Sequence, residues 1–249
     1  MDGQGDFGNL IKSYEEGRQR FPEAIIEELW GTLALGGAKV LDLGCGTGIS
    51  TRQLLKPGLS LFGLDKDQRM ISTARAHGPS GIQYSVGTAN RIPFPDGYFD
   101  AVTAFSSFHW FYNKEAVLEI KRALKDGGIF LVANKNHLPS SDNPLRAVYE
   151  GMLDSFFAKK PYDPKSDYDP AALMRDGGFK EIRSKSIMVR QVFTVRQAIA
   201  YVQSVSKWNL IEERDRERAL ETVTEYCNKV AKEGTITDEV EIAYFMGKR

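Results

Sequence analysis

Val40-Leu41-Asp42-Leu43-Gly44-Cys45-Gly46-Thr47-Gly48-Ile49-Ser50-Thr51 is an apolar run that breaks into three alternate glycines and then resumes a helical pattern. The stretch predicts a strand, a tight turn and a helix start, the unit with which an α/β sheet binds a nucleotide-like ligand. Glycines let the backbone turn sharply and let a ligand approach the main chain. Thr47, Ser50 and Thr51 are placed to hydrogen-bond at the helix N-terminus, where main-chain N–H groups lack partners.

The spacing is Gly-x-Gly-x-Gly and not the Gly-x-Gly-x-x-Gly that seats a pyrophosphate, which disfavours a dinucleotide. Asp42 closes the strand with a carboxylate, a group that repels phosphate and suits an ammonium. A second apolar run, Leu59 to Leu64, ends at Asp65, about twenty residues beyond the glycines, where an acidic side chain reaches ribose hydroxyls.

Outward from this unit the chain alternates strand and helix signals, the pattern of a parallel sheet covered by helices. Pro22 opens a helical segment bearing Ile25, Ile26, Leu29, Trp30 and Leu33. Strands are expected near 39–43, 60–65, 82–86, 99–105 and 128–133, with helices near 48–55, 67–76 and 113–124. Asp67 and Asn113 suit N-caps, and Asp126-Gly127-Gly128 is expected to end the last of these helices. Beyond residue 136 the pattern predicts helices from Pro144 to Ala158, from Pro170 to Gly177, near Val195–Ser204 and near Leu210–Lys232. The last carries Leu220, Val223, Cys227 and Val230 on one stripe. Strands are expected from Glu181 to Val189 and from Glu239 to Gly247.

Further segments complete the set: Gly87-Thr88-Ala89-Asn90-Arg91-Ile92-Pro93-Phe94-Pro95-Asp96-Gly97-Tyr98-Phe99-Asp100, the strand from Ala101 into Phe105-Ser106-Ser107-Phe108-His109-Trp110-Phe111, and Ala123 to Val132. Together, over roughly residues 38–134, they resemble the class I S-adenosylmethionine-dependent methyltransferases of small-molecule type, the group with the ubiquinone-biosynthesis and trans-aconitate enzymes. The resemblance implies a Rossmann-like α/β fold: a mostly parallel seven-stranded sheet, helices on both faces, an antiparallel last strand and a helical cap. It implies one methyltransferase domain with a core of about 22–135, 170–190 and 236–249, and a cap drawn from 1–21, 136–169 and 190–234.

The implied activity is in-line methyl transfer from S-adenosylmethionine to a small-molecule acceptor, with S-adenosylhomocysteine as product and no metal. Carried over by resemblance, Gly44, Cys45, Gly46 and Gly48 shape the turn under the donor, Asp42 lies near its ammonium and Asp65 takes the ribose hydroxyls. Lys66 and Met70 flank the adenine, Thr88 and Ala89 line its edge, and Phe105 lies near the methionine tail. Many members have Asp where Thr88 stands, and a hydroxyl accepts more weakly than a carboxylate. His109 is the candidate base or acceptor-positioning residue, with a structural histidine as the other reading; His77 and His137 receive no role. Tyr14 is placed to close over the methyl site. Arg18, Trp110, Tyr201 and Trp208 are candidate substrate residues; for Arg18 the alternative is a solvated helix face, and for Tyr201 and Trp208 it is the cap's own core.

Composition bounds the alternatives. Among 249 residues Lys plus Arg and Asp plus Glu each number 33, so there is no basic excess of the kind nucleic-acid binders carry. Cys45 and Cys227, the only cysteines, show no metal-ligand spacing, and a reduced cytoplasmic setting is expected. The polar, glycine-rich start from Met1 to Asn9 lacks the character of a signal peptide, and no apolar run is long enough to span a bilayer. A protein that binds the donor without catalysis, and a nicotinamide-dependent oxidoreductase, are the competing readings.

Overall fold

The computed structural model describes residues 10–34, 36–139, 143–159, 161 and 167–249. In chain order these form α1 (Ile11–Gly17), α2 (Glu23–Trp30), β1 (Lys39–Leu43), α3 (Ile49–Gln53), β2 (Ser60–Asp65), α4 (Gln68–His77), β3 (Ile82–Val86), β4 (Phe99–Phe105), α5 (Lys114–Ala123) and β5 (Leu124–His137). There follow α6 (Pro144–Phe156), α7 (Pro170–Asp176), β6 (Lys180–Thr194), α8 (Val195–Gln203), α9 (Arg216–Val230) and β7 (Thr235–Lys248). The expected cap residues 1–9 and the loop signals at 140–141, 160 and 162–164 lie outside the described residues, apart from Pro161.

The strands form one seven-stranded sheet in the order β3-β2-β1-β4-β5-β7-β6, mostly parallel with an antiparallel last strand. β1 sits between β2 and β4, with Asp42 level with Gly63 on one side and Thr103 on the other. The order in which strands are added across the sheet reverses between β1 and its parallel neighbour β4, and open α/β sheets bind ligands at the carboxyl edge of such a switch point.

Local chemistry accounts for the element ends. The side chains of Asp67 and Asn113 accept the main-chain N–H groups of Arg69 and Ala116, so both expected N-caps are in place. α5 stops at Ala123, earlier than its glycines imply. The N–H groups of Gly97 and Tyr98 donate to the carbonyls of Arg122 and Ala123 at 2.9 Å, which leaves Leu124 free to extend and pair with Phe99. Asp126-Gly127-Gly128 therefore lies inside β5, where the register shifts between Phe99 and Ala101.

Two compact units are distinguished, each with its own core. The larger comprises 20–135, 164–187 and 242–249; the smaller comprises the described parts of 1–19, 136–163 and 188–241. Phe99, Phe108 and Phe130 are fully buried in the larger unit, each contributing about 1.5–3 kcal/mol by burial. In the smaller unit Leu145, Met152, Phe193, Val202, Val223 and Cys227 form the centre.

Four elements of the smaller unit differ from expectation. The stretch ahead of Pro22, for which no element is expected, contains a helix, α1. α9 begins at Arg216, because Ser206–Leu210 is a 3-10 turn that carries buried Trp208, after which Ile211 is extended and buried. Its inward stripe is Ala219, Val223 and Cys227, with Leu220 38% exposed. β6 and β7 extend past the expected ends, to Thr194 and back to Thr235. Among the described residues no helix is long and apolar enough to cross a membrane.

Candidate functional site

At the carboxyl end of β1 the chain turns through Gly44, Gly46 and Gly48, with φ of +69°, +54° and +81°. Side chains with a Cβ rarely adopt these angles, so the alternate glycines are a backbone requirement. Space also excludes a Cβ: at Gly44 it would lie 2.6 Å from Ser107 Cβ and at Gly48 2.5 Å from the Tyr84 hydroxyl. The turn is tied to the next strand by the N–H groups of Gly44 and Cys45, both donating to the Leu64 carbonyl.

Asp65 closes this arrangement. Its Oδ2 accepts the N–H of Gly46 and its Oδ1 the N–H of Asp67, each at 2.9 Å. The residue is only partly buried, and burial raises its pKa against the lowering effect of those two N–H groups. A carboxylate has about four acceptor positions, so two remain for a partner outside the turn.

Asp42 is 1% exposed and faces inward. Ser50 and Thr51 donate their hydroxyls to its Oδ2 at 2.8 and 2.7 Å, and Thr103 donates to Oδ1 at 3.0 Å. Burial pushes the Asp42 carboxyl up to about 6 against these three hydrogen bonds. Ser50 and Thr51 thus bind Asp42 and do not cap α3, whose first residue follows Gly48 with no side-chain cap. The Thr47 hydroxyl is buried with no hydrogen-bond partner among the described residues. Burial, with Asp42 and Asp65 nearby, raises the Cys45 thiol far above its ordinary range, so it is a packing group and not a nucleophile.

Sequence reading overlooked Tyr84. Its ring packs against Gly48, Gly63 and Gly78, three glycines at which a Cβ would lie within 2.8 Å of it. The ring is the floor on which the turn rests, and burial pushes its hydroxyl up to about 12.

Of the other cofactor candidates, Lys66 and Thr88 are exposed beside Asp65 and β3, whereas Met70, Ala89 and Phe105 are buried. Phe105 packs on Phe21 with ring centroids 4.8 Å apart. After β4, Ser107 donates to the Leu43 carbonyl at 2.7 Å, and buried Phe108 anchors a 3-10 turn through Trp110. The turn leaves His109 and Trp110 half-buried, their rings 4.8 Å apart, with the Tyr168 ring 6.3 Å from that of His109.

A methyltransferase-domain family model matches residues 41–132, the span from β1 through most of β5. An uncharacterised methyltransferase of Synechocystis is 30% identical over 172 residues, covering 67% of this chain and 77% of that protein. The chain belongs to the class I S-adenosylmethionine-dependent methyltransferases. An uncharacterised methyltransferase of Mycobacterium bovis is 36% identical over 122 residues, 49% of each protein, so the match spans about half the length of that relative. Among solved structures, a candidate type II methyltransferase of Anaeromyxobacter dehalogenans shares the fold with a TM-score of 0.65 at 17% identity, over 93% of this chain and 97% of that one. A phosphoethanolamine N-methyltransferase of Haemonchus contortus, solved with phosphomonomethylethanolamine and S-adenosylhomocysteine, has a TM-score of 0.59 at 18% identity, over 97% of this chain and 57% of that one.

The smaller unit of this methyltransferase holds the remaining candidates. Gly17 lets α1 approach α8 closely: a Cβ there would lie 2.3 Å from the Tyr201 main-chain nitrogen. Arg18 lies on neither a solvated face nor an open one. Its guanidinium sits 4.8 Å from the Tyr14 ring and 5.2 Å from the Tyr201 ring, and Nη2 donates to the Ser204 carbonyl at 2.8 Å. Tyr201 and Trp208 are both buried in the unit's core.

His137, given no role from sequence, is the last residue of β5. Its Nδ1 lies 2.8 Å from Asp238 Oδ2 and its Nε2 lies 2.5 Å from the Tyr201 hydroxyl. His77 is the last residue of α4. Among the described residues no group of three or more His, Cys, Asp or Glu side chains is gathered as metal ligands would be.

Proposed function

We propose that this chain binds S-adenosylmethionine at the β1–β2 edge of the larger unit and transfers its methyl group to a small-molecule acceptor. The observation that carries the reading is Asp65, partly exposed at the end of β2 with both oxygens anchored by the turn and lone pairs to spare. Those lone pairs are the acceptors to which the two hydroxyls of a vicinal diol donate, and the unpartnered Thr47 hydroxyl adds a polar group at the same turn.

When bound, the cofactor supplies an electrophilic methyl on a sulfonium whose charge vanishes during transfer. Asp65 fixes the turn and accepts from the ribose hydroxyls, while Lys66 and Thr88 border the adenine. Asp42 acts through Ser50 and Thr51, orienting the start of α3 beneath the glycines Gly44, Gly46 and Gly48. His109 and Trp110, held on the Phe108-anchored turn after β4, orient the acceptor. Holding the reactants in line and excluding water supplies much of such an acceleration.

A small acceptor is favoured by the balanced charge of 33 basic and 33 acidic residues, which lacks the basic excess that polyanion binders usually carry. Tyr14, Arg18, Tyr201 and Trp208, the candidate acceptor residues, all belong to the smaller unit, where Tyr201 and Trp208 are core. The reading is tested by release of S-adenosylhomocysteine from the donor in the presence of a panel of small acceptors. Acceptor-dependent release supports it; tight donor binding without release from any acceptor identifies a non-catalytic binder.

A further inference from the structure

One ring is wedged between three neighbouring elements of the larger unit. Tyr84 lies on β3 level with Gly63 of β2, and the Cδ1–Cε1 edge of its ring fills the space over that glycine, where a Cβ would lie 2.5 Å from Cδ1. The opposite edge meets Gly78, which follows α4, and the hydroxyl end reaches Gly48 at the head of α3. Arg75 of α4 holds the Tyr84 carbonyl with two hydrogen bonds, at 3.2 and 2.7 Å. Ring and main chain are both fixed, so the ring is a rigid support.

The two halves of the glycine turn are held differently. The N–H groups of Gly44 and Cys45 donate to Leu64 and that of Gly46 to Asp65, so the first half is bonded to β2. The second half is bonded to its own neighbours: the Gly48 N–H donates to the Cys45 carbonyl at 2.9 Å, and Arg52 to the Thr47 carbonyl at 2.7 Å. Its support from the sheet is the Tyr84 hydroxyl, the atom nearest to a Cβ at Gly48, at 2.5 Å. That hydroxyl is buried with no hydrogen-bond partner among the described residues, and Thr51, the polar side chain acting on it, gives its own proton to Asp42. A buried hydroxyl without a partner destabilises a fold, and phenylalanine would fill the slot between Gly63 and Gly78 without that cost. What the oxygen adds is reach, carrying the ring to Gly48.

Resting on the donor-binding reading of this edge, we infer that Tyr84 is a positioning residue for the donor: ring and hydroxyl hold the Thr47–Gly48 half of the turn at the height where the donor meets the main chain. A turn built on glycines has the most conformational freedom to lose, and a ligand that must order it binds less tightly. Tyr84, buried beneath the turn, removes part of that loss before the donor arrives. It acts through the turn, so its effect falls on donor affinity and not on the transfer step.

The test compares the unmutated full chain with Tyr84→Phe and Tyr84→Leu, using S-adenosylhomocysteine as the probe in titration calorimetry and urea unfolding in parallel. Tyr84→Phe is expected to unfold at the same or a higher urea concentration and yet to bind the probe about tenfold more weakly, the scale of a small misplacement of a binding group. Tyr84→Leu, which also loosens the slot between Gly63 and Gly78, should bind it more weakly still; Tyr84→Phe decides even if the leucine variant folds poorly. A packing role alone moves stability and leaves the affinity of the folded chain where it was. Where turnover is measured, the KM for the donor should rise in Tyr84→Phe while kcat holds. Wild-type affinity in Tyr84→Phe, or a loss of affinity matched by a loss of stability, would overturn the positioning role and leave the donor reading standing. An unmutated, folded chain that does not bind the probe sinks both.

Discussion

Asp65 Oδ2 accepts the main-chain N–H of Gly46 at 2.9 Å, so the carboxylate that ends β2 holds the glycine turn that ends β1. Asp65→Ala removes the acceptor of both Gly46 and Asp67. Leaving partly buried N–H groups unsatisfied costs about 1–3 kcal/mol. Donor affinity should fall at least tenfold, read by titration calorimetry beside a denaturant melt, whereas His109→Ala should leave it unchanged. Undiminished affinity in Asp65→Ala would break the ribose assignment.

Asp42 gives the fold a pH dependence of defined sign. Its carboxyl is pushed up to about 6 by burial, above its ordinary 3.8, so between those values the folded chain holds a proton that the unfolded chain has released. Its contribution is full below about pH 4 and is lost as pH rises to about 6, a change on the order of 2–3 kcal/mol. Urea midpoints at pH 4, 5 and 6 should show this fall for the wild type relative to Asp42→Asn. A constant difference between the two proteins would contradict it.

Gly17→Ala should destabilise the smaller unit, because the new methyl would lie 2.3 Å from the Tyr201 main-chain nitrogen. Overpacking of this kind costs typically 1–3 kcal/mol, and backbone cannot step aside as a flexible side chain does. A melting temperature within a degree of wild type would show that α1 and α8 are not in such close contact.

Arg122 clamps the segment after β3. It donates to the carbonyls of Ile92 and Phe94 and pairs with Glu119 and Asp96, while Glu119 accepts the Ile92 N–H at 2.7 Å. Lysine has no planar fork with which to make these bonds together. Arg122→Lys should cost about 2 kcal/mol, with the largest rise in amide exchange at 92–97. Unchanged protection there would refute the clamp.

The core of the sheet was legible because its strands are short apolar runs bounded by glycine, proline or aspartate, and because Asp67 and Asn113 announce their helices. The glycine turn and Asp65 were legible for the same reason: backbone demands leave a residue type behind. Tyr84 was not, since nothing in a tyrosine between Gln83 and Ser85 says that three distant glycines rest on it. The contacts of His137 with Asp238 and Tyr201 were hidden more deeply. His137 and Asp238 are 101 residues apart, His137 and Tyr201 are 64 apart, and Asp238 occupies an inward position of β7 where the alternation calls for an apolar side chain. Its polarity made the strand read as starting at Glu239, one residue too late to include it.

The central claim is that the edge formed by Gly44, Gly46, Gly48 and Asp65 holds S-adenosylmethionine. Calorimetric titration of the full chain with S-adenosylmethionine, S-adenosylhomocysteine and, as control, NAD tests it most directly. Micromolar-range binding of both sulfur compounds, lost in Asp65→Ala, and no heat from NAD is the predicted result. A folded chain that ignores both sulfur compounds, or binds NAD instead, would contradict it.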